Sequence, residues 1–308
     1  MNKIAGRVSR VRWLFVGKDG LRAGWKILAF LGIAVAISLL LFGITLVVPA
    51  YQPGVDHGIQ TLINEMNLGP PERIGAWSFW GALPFVLATG AMVIFDREGW
   101  MAFGFSLRGG AARFFQGLFL GFGSLALVVA VLRLAGGLVI GRSAFTGIDL
   151  LAWGARWAFA YLLVAVAEEI LFRGFVFWTL LRGLNVWWAA ALTSIWFMTY
   201  HLHNDGETAM GLAGVTLFGL ICALSIWRFG TIWWAIGFHF AWDWGETFLF
   251  GVSNSGISAT GALVASRPIG PAWLSGSSVG PEGSVLIAPV LLAVGVVIFK
   301  MKKTKPLN

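Results

Sequence analysis

Hydrophobic runs of membrane length recur along the whole chain. A helix of about 20 apolar residues is long enough to cross the hydrocarbon core of a bilayer. The pattern therefore predicts an all-α fold, a polytopic membrane helical bundle with about eight transmembrane helices. The predicted spans cover residues 27–48, 74–95, 114–135, 150–181, 186–203, 209–227, 231–250 and 284–300.

The fourth apolar segment, 150–181, is longer than one straight crossing requires. At about 1.5 Å per residue, a helix over its full length exceeds a hydrocarbon core of about 30 Å. We therefore expect this segment to tilt, to break or to project from the bilayer. The sequence "RGLN" follows at 182–185, where Gly183 and Asn185 are turn-forming residues and predict a hairpin into the fifth segment.

Composition and charge support membrane insertion and exclude a soluble domain. The chain is 58% hydrophobic and only 12% charged, which is too apolar for a water-exposed surface. The net charge of +8 would suit a nucleic-acid binder, but Lys and Arg gather at the termini and beside the apolar runs. This is the positive-inside pattern, so no nucleic-acid partner is predicted. The single Cys222 excludes an intrachain disulfide.

The same charge pattern predicts topology and domain organisation. We expect an integral protein of a bacterial plasma membrane, with both termini in the cytoplasm. The loop 96–113 falls inside, whereas the loops 51–73 and 251–283 fall outside. The predicted parts are a basic cytoplasmic N-terminus at 1–26, a membrane domain at 27–300 with its catalytic core at about 150–250, and a basic tail at 301–308.

Two glutamates stand inside an apolar run, in the sequence "AEEILFRG" at 167–174. A carboxylate within a membrane helix costs about 2.5–3.5 kcal/mol on insertion scales, so it usually has a function or a specific partner. Glu169 and Arg173 have i,i+4 spacing and predict an ion pair that supports the helix. Glu168 points to a different face and has no local partner, which indicates function. The alternative is a solvated cytoplasmic helix end.

Two later spans also carry polar residues with helical spacing. In "FMTYHLH", Phe197 and His201 lie one turn apart, and in "HFAWDWGE", His239 and Asp243 are i,i+4 neighbours. Counting residues from the 182–185 turn places Glu168 and His201 at nearly equal height, whereas counting from the turn at 229–230 places His239 and Asp243 at heights that match less well. A lone membrane histidine is more often a helix-packing residue than a catalyst. Two such sites together with Glu168 favour a functional site.

Three motifs in these spans resemble those of a known protease family. "EEILFR" fits EExxxR, "FMTYH" fits FxxxH and "HFAWD" fits HxxxN/D. In this order and spacing, over about 168–243, they resemble the CAAX-protease and bacteriocin-processing family of intramembrane endopeptidases. The resemblance implies that Glu168 and His201 activate a water, while His239 and Asp243 stabilise the oxyanion. The residues expected to support this site are Glu169, Arg173 and Phe197.

Residue 243 and the metal content are open at this stage. The family often has Asn where this chain has Asp243, and an ionised Asp would repel an oxyanion. Asp243 is therefore expected to be protonated, to orient His239 or to bind a cation. Two histidines with a carboxylate form a zinc set of the His₂Glu type, so a zinc site at Glu168, His201, His239 and Asp243 is one hypothesis. A metal-free glutamate mechanism is the other.

The resemblance implies an intramembrane endopeptidase that hydrolyses a membrane-associated peptide or protein, with prenylated substrates the best-known target of the family. The bilayer lipids and this substrate are the expected partners. One alternative is a proton-coupled transporter that uses the Glu, His and Asp residues as a relay, although no clear inverted repeat is present. Another is a catalytically silent scaffold or immunity protein. Cleavage of a reporter peptide that requires Glu168 would distinguish these hypotheses.

Overall fold

The computed structural model describes residues 15–17, 20–47 and 69–303 of the 308-residue chain. Most of the predicted basic N-terminus, most of the predicted outer loop 51–73 and the end of the basic tail lie outside the described residues.

Helices form most of the described chain. They comprise α1 (Ala23–Val47), α2 (Pro70–Asp96), α3 (Gly110–Leu134), α4 (Gly147–Arg173), α5 (Phe175–Gly183), α6 (Val186–His201), α7 (Ala209–Phe229), α8 (Trp233–Trp244), α9 (Ala272–Ser275) and α10 (Ile287–Lys300). Short 3₁₀ turns lie at Trp100–Phe103 and Pro281–Gly283, and one π-helical turn, Gly245–Leu249, continues α8. The predicted polytopic helical bundle is confirmed.

All eight predicted spans contain a helix. In the described residues, five helical segments are long and apolar enough to cross a membrane: α1, α2, α3, α7 and Gly147–Gly183, which comprises α4 and α5. The other three, α6, α8 and α10, have 16, 12 and 14 residues. The chain is therefore an integral membrane protein, and the predicted count of about eight depends on these three shorter helices.

The long fourth span is broken at Gly174. This residue separates α4 from α5 with φ −76° and ψ −123°, which is not a helical conformation. A Cβ at Gly174 would collide with the carbonyl oxygen of Ile170, so a larger side chain does not fit. The predicted turn follows α5, where the Asn185 side chain accepts hydrogen bonds from the backbone N–H groups of Trp187 and Trp188 in the first turn of α6. Of the three expectations for this span, the break is confirmed.

The helix ends form two opposite sets. At one end, which we call the basic end, Lys26 contacts Asp96 at 2.8 Å and Arg182 contacts Glu98 at 2.6 Å. At the other, the strand end, β3 (Leu138–Arg142) pairs antiparallel with β4 (Val264–Pro268). A second, two-residue pair, β1 (Val16–Gly17) with β2 (Gly20–Leu21), precedes α1. The alternation of helix ends agrees with the predicted order of crossings.

The apolar core has two main parts. The larger part lies among α3, α6, α7, α8 and α10, and the smaller part joins α1, α2 and α5. In the smaller part, the rings of Phe30 and Phe175 stack with centroids 5.0 Å apart. The larger part surrounds the helices that carry the polar motifs.

Glycines allow α3 and α8 to pack with their backbones in contact. A Cβ at Gly117 would collide with the Trp234 carbonyl oxygen, and a Cβ at Gly121 would lie 2.7 Å from the Phe238 carbonyl oxygen. Gly237 of α8 faces α3 in the same way. Gly117 and Gly121 therefore form a small-residue packing face, which fixes the position of the helix that bears His239.

Gly117→Ala is expected to lower the stability of the protein by about 1–3 kcal/mol, because the added methyl group forces α3 and α8 apart. The measurement is the thermal unfolding midpoint in detergent. Gly123→Ala is the matched control, since a Cβ at Gly123 of the same helix would meet nothing within 4 Å. Equal midpoints for the two variants would contradict the close packing of these helices.

Candidate active site

Both glutamates of the "AEE" sequence reach the same histidine. His239 Nδ1 lies 3.0 Å from Glu169 Oε1, and His239 Nε2 lies 3.7 Å from Glu168 Oε2. Adjacent helical residues point about 100° apart, and the imidazole of α8 lies between the two carboxylates. The two glutamates point to different faces of α4, as expected, and contact opposite nitrogens of one ring on another helix.

Arg173 holds the Glu169 carboxylate in place. Its Nη1 lies 3.1 Å from Glu169 Oε1, and both side chains are completely buried. The guanidinium also lies over the Phe197 ring at 4.3 Å. A Cβ at Gly219 of α7 would be only 2.7 Å from Arg173 Nη2, so the glycine leaves room for this side chain. The predicted ion pair is confirmed, and the alternative of a solvated helix end is wrong for this pair.

The hydrogen bonds of His239 fix which ring nitrogen carries a proton. A carboxylate can only accept, so Nδ1–H donates to Glu169. The other nitrogen, Nε2, faces Glu168 at 3.7 Å and Asp243 Oδ2 at 3.5 Å. A lone pair at Nε2 would be repelled by two carboxylate oxygens, so a further proton on Nε2 or on one of these carboxyl groups makes the cluster attractive.

His201 reaches the same site from α6. Its Nδ1 donates to the Phe197 carbonyl oxygen at 2.9 Å, because a carbonyl can only accept. This hydrogen bond leaves the Nε2 lone pair available for a water or a substrate. His201, Glu168, His239 and Asp243 all line one cavity of about 780 Å³. The structure therefore brings the four residues assigned from the motifs together around one cavity.

Two site residues could not be singled out from the sequence. Asn254 Nδ2 donates to Asp243 Oδ1 at 3.2 Å, and Glu282 accepts from the backbone and hydroxyl of Ser255 at 3.0 and 2.6 Å. Burial raises the pKa of Glu282 to about 7, although the Ser255 hydrogen bonds oppose that rise. Both residues line the cavity. The "GPEGS" sequence at 280–284 was a weak signal for Glu282, whereas nothing local marked Asn254.

Two other polar residues of the motif regions lie in different surroundings. His203 follows α6 and is exposed where the cavity meets the surface. Glu246 belongs to the π-helical turn, is completely buried and does not line the cavity. Its Oε1 accepts from Trp242 Nε1 at 3.1 Å. Neither residue takes part in the His239 cluster.

The arrangement of ligand-type residues bears on the zinc hypothesis. A zinc ion needs nitrogen and oxygen ligands that converge at about 2.0–2.2 Å from one point. In the described part of the chain, no group of three or more His, Cys, Asp or Glu side chains is placed to hold a metal ion. The residues as arranged do not form a zinc set, so no step below is routed through a metal.

From this arrangement, we expect active protein to contain well under one zinc per chain and to keep its activity after chelation. Zinc held by His201, His239 and a carboxylate would instead copurify stoichiometrically and be lost from His201→Ala and His239→Ala. The measurement is elemental analysis of active wild-type protein and both variants. One equivalent of zinc in wild type, absent from both variants, would contradict the expectation.

The helices that carry the three motifs are those that match a known family. Residues 150–245 match the family model described as Type II CAAX prenyl endopeptidase Rce1-like. This Rce1-like segment is 96 of the 308 residues, from within α4 to the first residue after α8. The match confirms, for this segment, the resemblance drawn from the motifs. No curated protein was found to match the chain.

Proposed function

We propose that this protein is an intramembrane endopeptidase of the CAAX-protease type, which hydrolyses a peptide bond in a membrane-associated substrate. The observation that carries the proposal is the position of His239, buried between Glu168, Glu169 and Asp243 beside a cavity that His201 also lines. Peptide hydrolysis needs a base for water and donors for the oxyanion, and this cluster contains both. The match of the Rce1-like segment supports the same reaction.

Glu168 is the general base of the proposed mechanism. Its side chain is 16% exposed, and its Oε2 receives no hydrogen bond from the described residues. The Glu168 side chain lines the cavity, so its carboxylate can take a proton from a water there. His201 can accept the second hydrogen bond of the same water through Nε2, which orients the water for attack. The proton on Glu168 then passes to the leaving amine.

The oxyanion donors are His239 and Asn254. His239 Nε2 faces Glu168 and Asp243, which both line the cavity, and the Asn254 side-chain amide lies beside Asp243 in the same cavity. Asp243 accepts from Asn254 and faces His239, so its role is to position both donors. A preorganised donor of this kind contributes about 10²–10³ in rate in other hydrolases. Among the three expectations for Asp243, orientation of His239 has the support of these contacts.

Asp243→Asn is expected to keep or raise the cleavage rate, because the amide oxygen still accepts from Asn254 and the negative charge near the oxyanion is removed. The measurement is kcat on a reporter peptide in reconstituted membranes. Asn254→Asp is the matched opposite change, since it replaces the donor with a carboxylate and is expected to lower kcat by about 10²-fold. An inactive Asp243→Asn with an active Asn254→Asp would contradict these roles.

The proposed function itself is tested by comparing membrane peptides from cells that express wild type or Glu168→Gln. Cleavage products that appear only with wild type would support the proposal and identify the substrate. Purified protein should then cleave a peptide with that sequence. Identical peptide profiles, together with no cleavage of any reporter by the purified protein, would favour a transporter or a silent scaffold.

A further inference from the structure

The cavity of the candidate active site opens at the strand end of the bundle. Its rim comes from the start of α2, the connection between α6 and α7, and the loop after α8. Exposed side chains at this rim include His203, Asp205 and Ser258. No side chain of the basic end is among the described residues that line the cavity. A substrate in water therefore reaches the site from the strand end.

The two ends of the bundle differ strongly in charge. At the basic end, the described segments 22–26, 96–113, 182–185, 228–232 and 300–303 contain ten Lys or Arg and two acidic residues. At the strand end, the described segments 69–73, 133–149, 202–208 and 250–286 contain four Arg and five acidic residues. Short loops rich in Lys and Arg stay in the cytoplasm. The charge difference therefore assigns the basic end to the cytoplasm and the strand end to the opposite side.

The cavity is also accessible from the lipid side near the same end. Trp77 of α2 and Tyr200 of α6 line it and are 40% and 61% exposed. Exposed Trp and Tyr side chains are typical of the membrane–water interface. Polar residues at the rim, including Asn204, Ser255 and Ser258, can hydrogen-bond an extended peptide backbone. A peptide segment that lies at this interface fits both features.

We propose that the site receives its substrate from the extracytoplasmic side, so that the substrate is an exported or outer-leaflet-anchored peptide segment and not a cytoplasmic prenylated C-terminus. The identity of the occupant as a substrate rests on the proposed function, whereas the side of access rests on the cavity and the charges alone. The two can therefore fail separately.

The test is cysteine labelling from outside intact cells. Cys222 is completely buried and is first replaced by Ala. Ser258→Cys places a thiol at the cavity rim, and Lys302→Cys places one at the exposed basic end. Cells whose plasma membrane faces the medium, as spheroplasts if an outer membrane is present, are treated with a membrane-impermeant maleimide before or after lysis. Asp205→Cys and Lys303→Cys repeat the test at the same two ends.

We expect Ser258→Cys to be labelled equally before and after lysis and Lys302→Cys only after lysis. Labelling of Ser258→Cys only after lysis, or of Lys302→Cys in intact cells, overturns the proposal. The expected labelling combined with no Glu168-dependent cleavage would leave the side of access standing and refute the proposed function. Reversed labelling combined with Glu168-dependent cleavage would overturn the proposed side of access and support the proposed function.

Discussion

Glu168→Gln is expected to abolish peptide cleavage and leave the fold intact. Glutamine keeps the shape of the side chain but cannot take the proton of the attacking water. General acid–base catalysis contributes about 10²–10⁴ in rate, and Glu168 acts in both water activation and leaving-group protonation, so we expect a loss near the upper value. No described residue donates to Glu168 Oε2, so the substitution breaks no hydrogen bond at that oxygen. The measurements are kcat on a reporter peptide and the thermal unfolding midpoint.

The adjacent Glu169 provides the matched control. It is completely buried, and its Oε1 is bonded to both Arg173 and His239. Glu169→Gln should therefore reduce stability together with activity, because it removes the charge that Arg173 and His239 contact. Glu168→Gln should reduce activity alone. A Glu168→Gln variant that still cleaves, beside an inactive Asp243→Asn, would reverse the roles and make Asp243 the essential carboxylate.

The parts of the fold that could be predicted are those set by local spacing. The eight apolar segments follow from the thickness of the bilayer, and each contains a helix. The Glu169–Arg173 pair follows from the i,i+4 geometry of one helix. The close packing at Gly117 and Gly121 follows from small residues one turn apart. Each of these features depends on a few neighbouring residues.

The contact between Glu169 and His239 could not be predicted because it depends on how α8 is positioned against α4. That position is fixed by the close approach of α3 and α8, where Gly237 faces the Phe114 carbonyl oxygen. The comparison of the heights of Glu168 and His201 also assumed one continuous helix from Glu168 to the turn at 182–185. The break at Gly174 changes the path between them, so residue counts from the turn do not give the depth of Glu168.

Asn254 and Glu282 could not be predicted because the conformation of their loop depends on strand pairing with a segment that is far away in the sequence. The segment 251–283 was predicted only as an outer loop, and its strand β4 pairs with β3, over 100 residues earlier. Ser143 Oγ also donates to the Ala262 carbonyl oxygen at 2.6 Å. These contacts bring the loop back against the bundle. There, Ser255 donates a hydrogen bond to Glu282, and Asn254 donates one to Asp243. No local sequence pattern encodes a pairing over this distance.

Arg173→Ala is expected to lower the free energy of unfolding by about 3–5 kcal/mol, because it leaves the Glu169 carboxylate buried without its counter-charge. Both side chains of the pair are fully buried, so water cannot replace the guanidinium in the folded state. The substitution also removes the cation from above the Phe197 ring. The measurement is the unfolding midpoint in detergent, converted to free energy with a denaturant titration.

The double variant Glu169→Gln/Arg173→Ala separates two contributions to the loss of stability: the unpaired buried charge and the lost packing. If the stranded carboxylate causes most of the effect, removing both charges should restore part of the stability that Arg173→Ala loses. Arg173→Lys should lie between wild type and Arg173→Ala, because an ammonium keeps the charge but lacks the planar group that stacks on Phe197. A single variant Arg173→Ala that unfolds at the wild-type midpoint would mean that water reaches Glu169, and the placement of this end of α4 inside the bundle would then be wrong.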